Sequence, residues 1–302
     1  MKKIKTKRVL GIGSVLLSAT CFAATSILIK LAYRYGLTPP QVLAWQSWLA
    51  SIMLLVYALV FQREIFKVSR QSLKVLAVQG LIGSLGTSVI YAYSLIYLPV
   101  SVAILLLYLY PVLVLGAGAA IWHKRISSQE LIALALTFAG TMFASGVLTG
   151  IGEVSVIGLI LGIASAVCYA VFNIVGELAV RQVSPLATMS FAQWFSSLGL
   201  LIYLWREIPH MGWQNTEVWG IGLALATVAS IFPFYFILIG IQHIGAAQAA
   251  IISTFELPMT FVMAAFFLGE FPQVNQWAGG TLVLAGIILL NWRFQHEQQS
   301  AQ

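Results

Sequence analysis

A single carboxylate, Glu256, lies about ten residues into the apolar segment 246–269, two residues before Pro258. At ~1.5 Å per residue it would lie ~15 Å deep in a membrane-spanning helix. Charge at that depth costs roughly 2.5 kcal/mol or more and normally faces a cavity. Pro258 should free the carbonyl of Thr254 and so create a polar pocket. We expect Glu256 to bind an ammonium group or to carry a proton; the structural alternative is a protonated side chain bonded to a neighbouring helix.

Further polar and aromatic side chains within apolar segments are candidates for contacting a cargo. Gln46 and Gln193 occupy corresponding places in the two halves of the chain, where they either line a passage or bridge helices. Tyrosine and phenylalanine near helix breakers would suit a partly apolar amino acid or an aromatic metabolite, and packing is the alternative for each ring. Besides Glu256 and the two glutamines, the predicted substrate-binding residues are Tyr91, Tyr108, Phe234 and Ser253.

Helix-breaking residues occur in four of the apolar segments. Proline inside a helix removes a hydrogen bond and bends the axis. In lipid the freed backbone groups must face protein or a water-filled space. Segments three, four, eight and nine are therefore predicted to line a central passage, with one and six as partners; close helix packing is the alternative. The predicted hinge residues are Gly83, Gly86, Pro111, Pro233 and Pro258.

The elements that must position these residues are ten apolar segments, each near the ~20 residues that span a bilayer. Sixty per cent of the 302 residues are hydrophobic and 8% are charged, with mean hydropathy +0.93. A soluble domain has about 25% charged residues. The sequence therefore predicts an all-α membrane protein. The predicted spans are 9–33, 41–61, 73–97, 100–122, 129–149, 155–181, 186–205, 217–241, 246–269 and 275–293.

The chain repeats itself at an offset of 147 residues. Shared apolar composition does not explain matched Cys, Gln, Arg and Pro in one register. Because each half holds an odd number of segments, the halves must be inverted relative to each other. We predict one integrated membrane domain built from residues 1–150 and 151–302. Matched pairs include Ser18/Ser165, Cys21/Cys168, Arg34/Arg181, Gln46/Gln193, Ala103/Ala250 and Pro111/Pro258.

The distribution of basic residues predicts the orientation in the membrane. With cytoplasmic termini, the inside regions hold 13 Lys and Arg, and the outside loops hold Arg34 and Arg206. Cytoplasmic loops carry such an excess. We therefore expect a multi-pass protein of the plasma membrane with both termini in the cytoplasm. This bias and anionic lipid explain the net charge of +7, so nucleic acid is not an expected partner.

Enzymatic functions are disfavoured by what the sequence lacks. An intramembrane protease needs paired aspartates, a Ser/His pair or a metal motif, and the sequence contains no Asp and four His near segment ends. It has no phosphate-binding loop and no metal-ligand spacing, so no cofactor is expected. Its two cysteines do not imply a disulfide framework.

The chain has ten segments in two halves, a proline in each fourth segment, and the sequences FLGE at 267–270 and QWAGG at 276–280. In these features it resembles the EamA-type members of the drug/metabolite transporter superfamily. The sequence departs from that pattern at 121–124 (IWHK), where an acidic turn is common. The resemblance implies an exporter of metabolites or amino acids, with a central cavity between the halves.

We therefore predict a secondary transporter that moves a small metabolite, an amino acid or related compound, across the plasma membrane by alternating access. Export is the expected direction, and either proton exchange or the substrate gradient would drive it. The alternative is a passive facilitator or channel. Lys30 and Glu177, at matched positions with opposite charge, should lie near opposite membrane faces and not pair with each other; Lys30 can extend to the interface. Both are expected to be structural, and a role in gating is the alternative. The chain is expected to act as a monomer or a homodimer.

Overall fold

The computed structural model describes residues 2–147, 155–210 and 216–300, and within these ranges the chain forms helices without a strand. Ten long helices succeed one another. They are α1 (Lys2–Arg34), α2 (Pro39–Phe61), α3 (Arg70–Tyr97), α4 (Val100–Trp122), α5 (Ser128–Ser145), α6 (Val156–Val180), α7 (Pro185–Tyr203), α8 (Thr216–Ile244), α9 (Ala246–Leu268) and α10 (Val274–Ser300). Short 3-10 helices, Arg63–Phe66 and Trp205–His210, follow α2 and α7.

The predicted all-α membrane architecture is confirmed. In the part of the chain that the structure describes, nine helices are long and apolar enough to cross a membrane. The tenth, α5, has 18 residues and a polar first turn. There Ser127 accepts from the Glu130 backbone at 3.2 Å, and the Glu130 carboxylate accepts from the Ser127 backbone at 2.9 Å. This reciprocal cap stabilises the start of the helix.

Most helix ends agree with the predicted spans to within about four residues, whereas α1 begins seven residues earlier and α10 ends seven residues later than predicted. α1 begins at Lys2, so the helix runs through the basic start of the chain. α8 continues to Ile244 and leaves Gly245, with φ of 80°, as the link to α9. The predicted end of the fifth span, residue 149, lies outside the described residues.

Four helices are interrupted near the residues predicted to break them. α3 contains a stretch of wider π-helical turns at Gln79–Gly86, and α8 contains another at Thr227–Ile231. α4 consists of α4a (Val100–Leu107) and α4b (Tyr110–Trp122). α9 consists of α9a (Ala246–Ser253) and α9b (Glu256–Leu268). The interruptions therefore fall at corresponding places in the two halves.

Helix pairs repeat across the two halves. α1 packs against the second part of α8, and α6 packs in the matched way against the second part of α3. α5 and α10 pack together at glycines: a Cβ on Gly140 would lie 2.6 Å from the carbonyl oxygen of Gly279. Such close approach requires glycine at the contact. The largest buried apolar cluster draws on α1, α4, α6, α8 and α9.

An even number of antiparallel helices brings both chain ends to one face, here called the terminal side. α4b and α9a lie toward the terminal side, whereas α4a and α9b lie toward the opposite side. These two names are used below for the ends of the passage.

Candidate functional site

The breaks in α4 and α9 are tight turns placed just before a proline. Tyr108 and Leu109 separate α4a from α4b, and Thr254 and Phe255 separate α9a from α9b. Pro111 and Pro258 lie in the first turn of the following segment, where the missing proline donor is tolerated.

One detail of the predicted break is wrong. The carbonyl of Thr254 is not left free by Pro258, because it accepts a hydrogen bond from the Leu257 backbone at 3.1 Å. The helix tightens at this point, which satisfies the group locally. The polarity at the break therefore comes from side chains.

Glu256 is the first residue of α9b, directly after the break. It is partly accessible, and α9b has no buried residue along its length. The Tyr108 hydroxyl lies within hydrogen-bonding reach of the Glu256 carboxyl. This proximity relates Glu256 of the second half to Tyr108 of the first half.

A continuous row of aromatic rings extends from Tyr108 toward α1. Ring centroids are 6.2 Å apart for Tyr108 and Tyr110, and 4.4 Å apart for Tyr110 and Tyr169. The row continues through Phe172 and Phe234, whose rings lie 5.3 Å apart. Spacings of 4.5–7 Å are those of favourable aromatic pairs. The predicted residues Tyr108 and Phe234 therefore lie on one aromatic row, whereas Tyr91 packs against a separate apolar cluster that includes Leu98 and Val102.

The sequence interpretation missed Tyr169, Phe172 and Phe22, which joins the row against Phe234 at 5.4 Å. Phe22 and Tyr169 are 147 residues apart and so occupy matched positions in the repeat. Counting only identical residues overlooked this aromatic pair. A comparison by residue type would have found it.

The other predicted polar residues are engaged in contacts between and within helices. Gln46 donates to the carbonyl of Ala229 in α8 at 2.8 Å. Gln193 donates to the Ser47 hydroxyl at 3.1 Å and accepts from Ser230 at 3.2 Å. In this conformation both amides bridge helices, one of the two roles left open by the sequence.

Ser253 ends α9a and is buried. Its hydroxyl donates to the carbonyl of Ala249 at 2.8 Å, and the Tyr110 hydroxyl lies within hydrogen-bonding reach of it. Tyr110 also donates to the carbonyl of Ala250 at 3.2 Å. Ser253 is therefore buried beside Tyr110.

The predicted hinge residues of α3 and α8, namely Gly83, Gly86 and Pro233, lie where these helices meet the first helix of the other half. A Cβ on Gly83 would lie 2.7 Å from the backbone of Phe172, and one on Gly86 would lie 3.1 Å from the sulfur of Cys168. On the matched contact, Ser18 donates to the carbonyl of Pro233 at 2.8 Å. These contacts hold the interrupted regions of α3 and α8 closely against α6 and α1.

The terminal side of the passage is closed by contacts centred on Glu177. Its side chain is buried, and its carboxylate accepts from the backbone of Ala246, the first residue of α9a, at 2.7 Å. Its other oxygen pairs with Arg181 at 2.6 Å, and that guanidinium lies 5.3 Å from the Trp122 ring. The three helices α4, α6 and α9 are therefore joined at this end.

The larger of the two crevices described here lies on the opposite side. A crevice of about 520 Å³ runs between α1, α5, α9b and α10 and reaches Thr260, one turn from Glu256. Lys30 and Glu270 pair at 2.6 Å on its wall. The smaller crevice of about 300 Å³ at the terminal side contains Glu177. Lys30 and Glu177 thus lie at opposite ends with separate partners, as predicted.

Inverted five-helix halves with a polar centre where their broken helices meet define a multi-pass membrane transporter. The sequence profile of the EamA-like transporter family matches residues 9–146 and 156–292, so the chain belongs to that family and carries two EamA repeats. The resemblance inferred from the sequence is confirmed.

Relatives and a solved structure agree with this assignment. The uncharacterized transporter YcbK of Bacillus subtilis is 26% identical, covering 85% of this chain and 84% of its own. The uncharacterized inner membrane transporter YicL of Salmonella typhimurium is 22% identical over 93% and 95%. A protein crystal structure with TM-score 0.76 and 17% identity covers 97% of this chain and 98% of its own, a likeness of fold alone.

Proposed function

We propose that this transporter moves a small metabolite, an amino acid or related compound, by alternating access, with export as its physiological direction. The observation that supports this proposal most directly is the position of Glu256. This carboxylate belongs to the second half, and Tyr108, whose hydroxyl lies within hydrogen-bonding reach of it, belongs to the first. A cargo bound there would contact both halves, so their relative movement would change its surroundings.

The unequal ends of the passage support alternating access over a permanently open pore. Glu177 and Arg181 close the terminal side, while the crevice on the opposite side reaches within one turn of Glu256. A pore would need a continuous water-filled path. Under this proposal, the arrangement would be one of the two states of the cycle.

The proposed orientation has both termini in the cytoplasm. It rests on the 13-to-two distribution of Lys and Arg and corresponds to a plasma membrane location. The terminal side is then the cytoplasmic side, and the described conformation opens outward. Residues 1–150 and 151–302 would form the two halves that move relative to each other.

The proposed substrate-binding set is centred on Glu256 and includes Tyr91, Tyr108, Phe234 and Ser253. Gln46 and Gln193 would contact cargo only in a state where their bonds to α8 and α2 are released. The Glu256 carboxyl would also supply a group that exchanges a proton during the cycle.

Counterflow in proteoliposomes tests the proposal. Vesicles are loaded with one unlabelled amino acid or derived amine, and uptake of the same labelled compound is measured. We expect loading to accelerate uptake for at least one compound. Uptake that is never stimulated by loading, together with flux proportional to concentration, would show a passive facilitator and overturn alternating access.

A further inference from the structure

The smaller crevice, on the terminal side, gathers positive charge around one indole ring. Trp122 lines it, and Lys124 Nζ and the guanidinium carbon of Arg181 lie 5.9 and 5.3 Å from the centroid of that ring. Distances below about 6 Å are typical of cation–π contacts. Arg125 lines the same crevice. Three cationic side chains are therefore brought to a cavity of about 300 Å³.

The negative charges at this crevice are already engaged. Within the described part of the chain, its acidic lining residues are Glu130 and Glu177. The Glu130 carboxylate accepts two hydrogen bonds at the start of α5, at 2.9 and 3.0 Å. Glu177 pairs with Arg181 at 2.6 Å. The salt bridges of the described residues include neither Lys124 nor Arg125, so the crevice has positive charge available for an anion.

Arg181 can be reached from the terminal side, whereas Glu177 is shielded. The side chain of Arg181 is 52% exposed and that of Glu177 is 7% exposed. A guanidinium group has several N–H donors, and the bond to Glu177 uses only part of them. Its planar fork matches the geometry of a carboxylate. A carboxylate that enters the crevice would therefore meet Arg181 together with the other cations beside Trp122.

Loss of Arg181 as a partner would weaken closure of the terminal side. Glu177 is buried and accepts from the backbone of Ala246, the first residue of α9a, at 2.7 Å. A buried carboxylate that loses its cation is costly to keep away from water. Opening of the terminal side would return this carboxylate to water. A ligand that takes Arg181 should therefore favour the open state over the closed state.

We propose that this crevice binds small soluble carboxylates from the terminal side, and that their binding opens that side by drawing Arg181 away from Glu177. With both termini in the cytoplasm, a cargo that carries a carboxylate would then release its own entrance. The opening step rests on the proposed alternating access, whereas binding in the crevice does not depend on it.

A matched pair of ligands tests the binding step. Succinate carries carboxylates at both ends, and succinamide is its uncharged counterpart. Binding to the purified full-length protein is measured by saturation-transfer NMR at constant ionic strength, in nanodiscs of zwitterionic phosphatidylcholine. We expect succinate to bind and succinamide not to compete.

Two sets of substitutions assign the binding to this crevice. The double variant Lys124→Gln with Arg125→Gln should lower the affinity for succinate several-fold, because charge-assisted bonds to the ligand are lost. Lys74→Gln is the matched control, since it removes an exposed cation of α3 that does not line the crevice. It should leave the affinity unchanged.

Cysteine labelling tests the opening step. Ala117 lies in α4b on the terminal side, and Ala117→Cys is made in a protein without the two native cysteines. A water-soluble thiol reagent and succinate are added to the terminal side of sealed membranes. We expect succinate to raise the labelling several-fold, and to do so far less in the double variant. Glu177→Gln should raise labelling without ligand and respond little to succinate, whereas Glu64→Gln, which removes an exposed carboxylate, should behave like the parent.

Each outcome decides the proposal. Absence of succinate binding, or affinity that survives loss of both cations, overturns the site. Binding without a change in labelling overturns the release of α9a. If anionic phosphatidylglycerol in the nanodiscs abolishes succinate binding, the crevice holds a lipid headgroup and the soluble ligand is wrong. Counterflow is measured separately: exchange without succinate binding keeps the proposed function and removes this inference, whereas succinate binding without exchange of any compound does the reverse.

Discussion

The fourth helices of the two halves, α4 and α9, break at matched places. In α4 the second segment is the more buried one, whereas in α9 it is the first. In α9a, six of eight residues are buried, and in α9b none of 13 is. In α4a, two of eight are buried, and in α4b five of 13 are. The well-packed segments, α9a and α4b, both lie on the terminal side and contact each other.

This difference separates two kinds of information in the sequence. The matched prolines set where both helices break. Residues that differ between the halves set which end is closed: Glu177 holds the start of α9a, whereas its counterpart Lys30 pairs with Glu270. We interpret the matched prolines as the residues that form the hinges. The charges that differ between the halves would then stabilise one conformational state over the other.

The largest expected effect is at the centre, where the two broken helices meet. Glu256→Gln keeps the size of the side chain and removes its charge. We expect transport in the counterflow assay to fall about 10- to 100-fold, the range for loss of about 1.5–3 kcal/mol from a hydrogen bond to a charged group.

The same assay across pH checks the assignment. In the wild type, lowering the pH protonates the carboxylate and weakens cation binding, so uptake should decrease as the pH is lowered. Uptake by the variant should not change with pH. Wild-type rates and wild-type pH dependence in folded Glu256→Gln would make this residue structural.

The next effect concerns the close contact between α3 and α6. Gly83→Val would place side-chain atoms into the backbone of Phe172, and overpacking of this kind costs about 1–3 kcal/mol. We expect less folded protein by fluorescence-detected size exclusion and a lower Tm. Gly116→Val is the control, since a Cβ there meets nothing within 4 Å. Equal losses from both variants would mean that this contact does not hold the halves together.

The smallest effect is expected at the open end. The Lys30 and Glu270 side chains are 47% and 57% exposed, and pairs of this kind contribute less than about 1 kcal/mol. Lys30→Met should therefore leave the Tm nearly unchanged and the counterflow rate within about twofold of wild type. A transport loss as large as that of Glu256→Gln would instead place Lys30 in contact with cargo.

Helix number, inversion and break positions could be predicted because apolar segment length, proline and glycine act locally and occur twice. The role of Gln46 could not, since whether an amide faces a passage or a neighbouring carbonyl depends on the rotation of α2 against α8. Tyr169 could have been found as the aromatic counterpart of Phe22, but its contact with Tyr110 could not, since that contact depends on how α6 packs beside α4. The closed terminal side was also beyond prediction, because it arises from contacts between helices distant in sequence.

Labelling of two cysteines at matched positions tests most directly whether the ends close alternately. Ala264 lines the open crevice in α9b, and Ala117 is its counterpart in α4b. Each is replaced by cysteine after Cys21 and Cys168 are changed to serine. Water-soluble thiol reagents are then applied separately to the two sides of sealed membranes. The labelling is compared between the protein that retains Glu177 and the Glu177→Gln variant.

The account predicts reciprocal changes. Glu177→Gln weakens the bonds that hold α9a, and an effect of about 1 kcal/mol or more corresponds to a change of about fivefold between states. Labelling of Ala117→Cys from the terminal side should rise while labelling of Ala264→Cys from the opposite side falls, and Glu64→Gln should change neither. Labelling that rises at both positions together, or that stays constant at both, would contradict alternating closure.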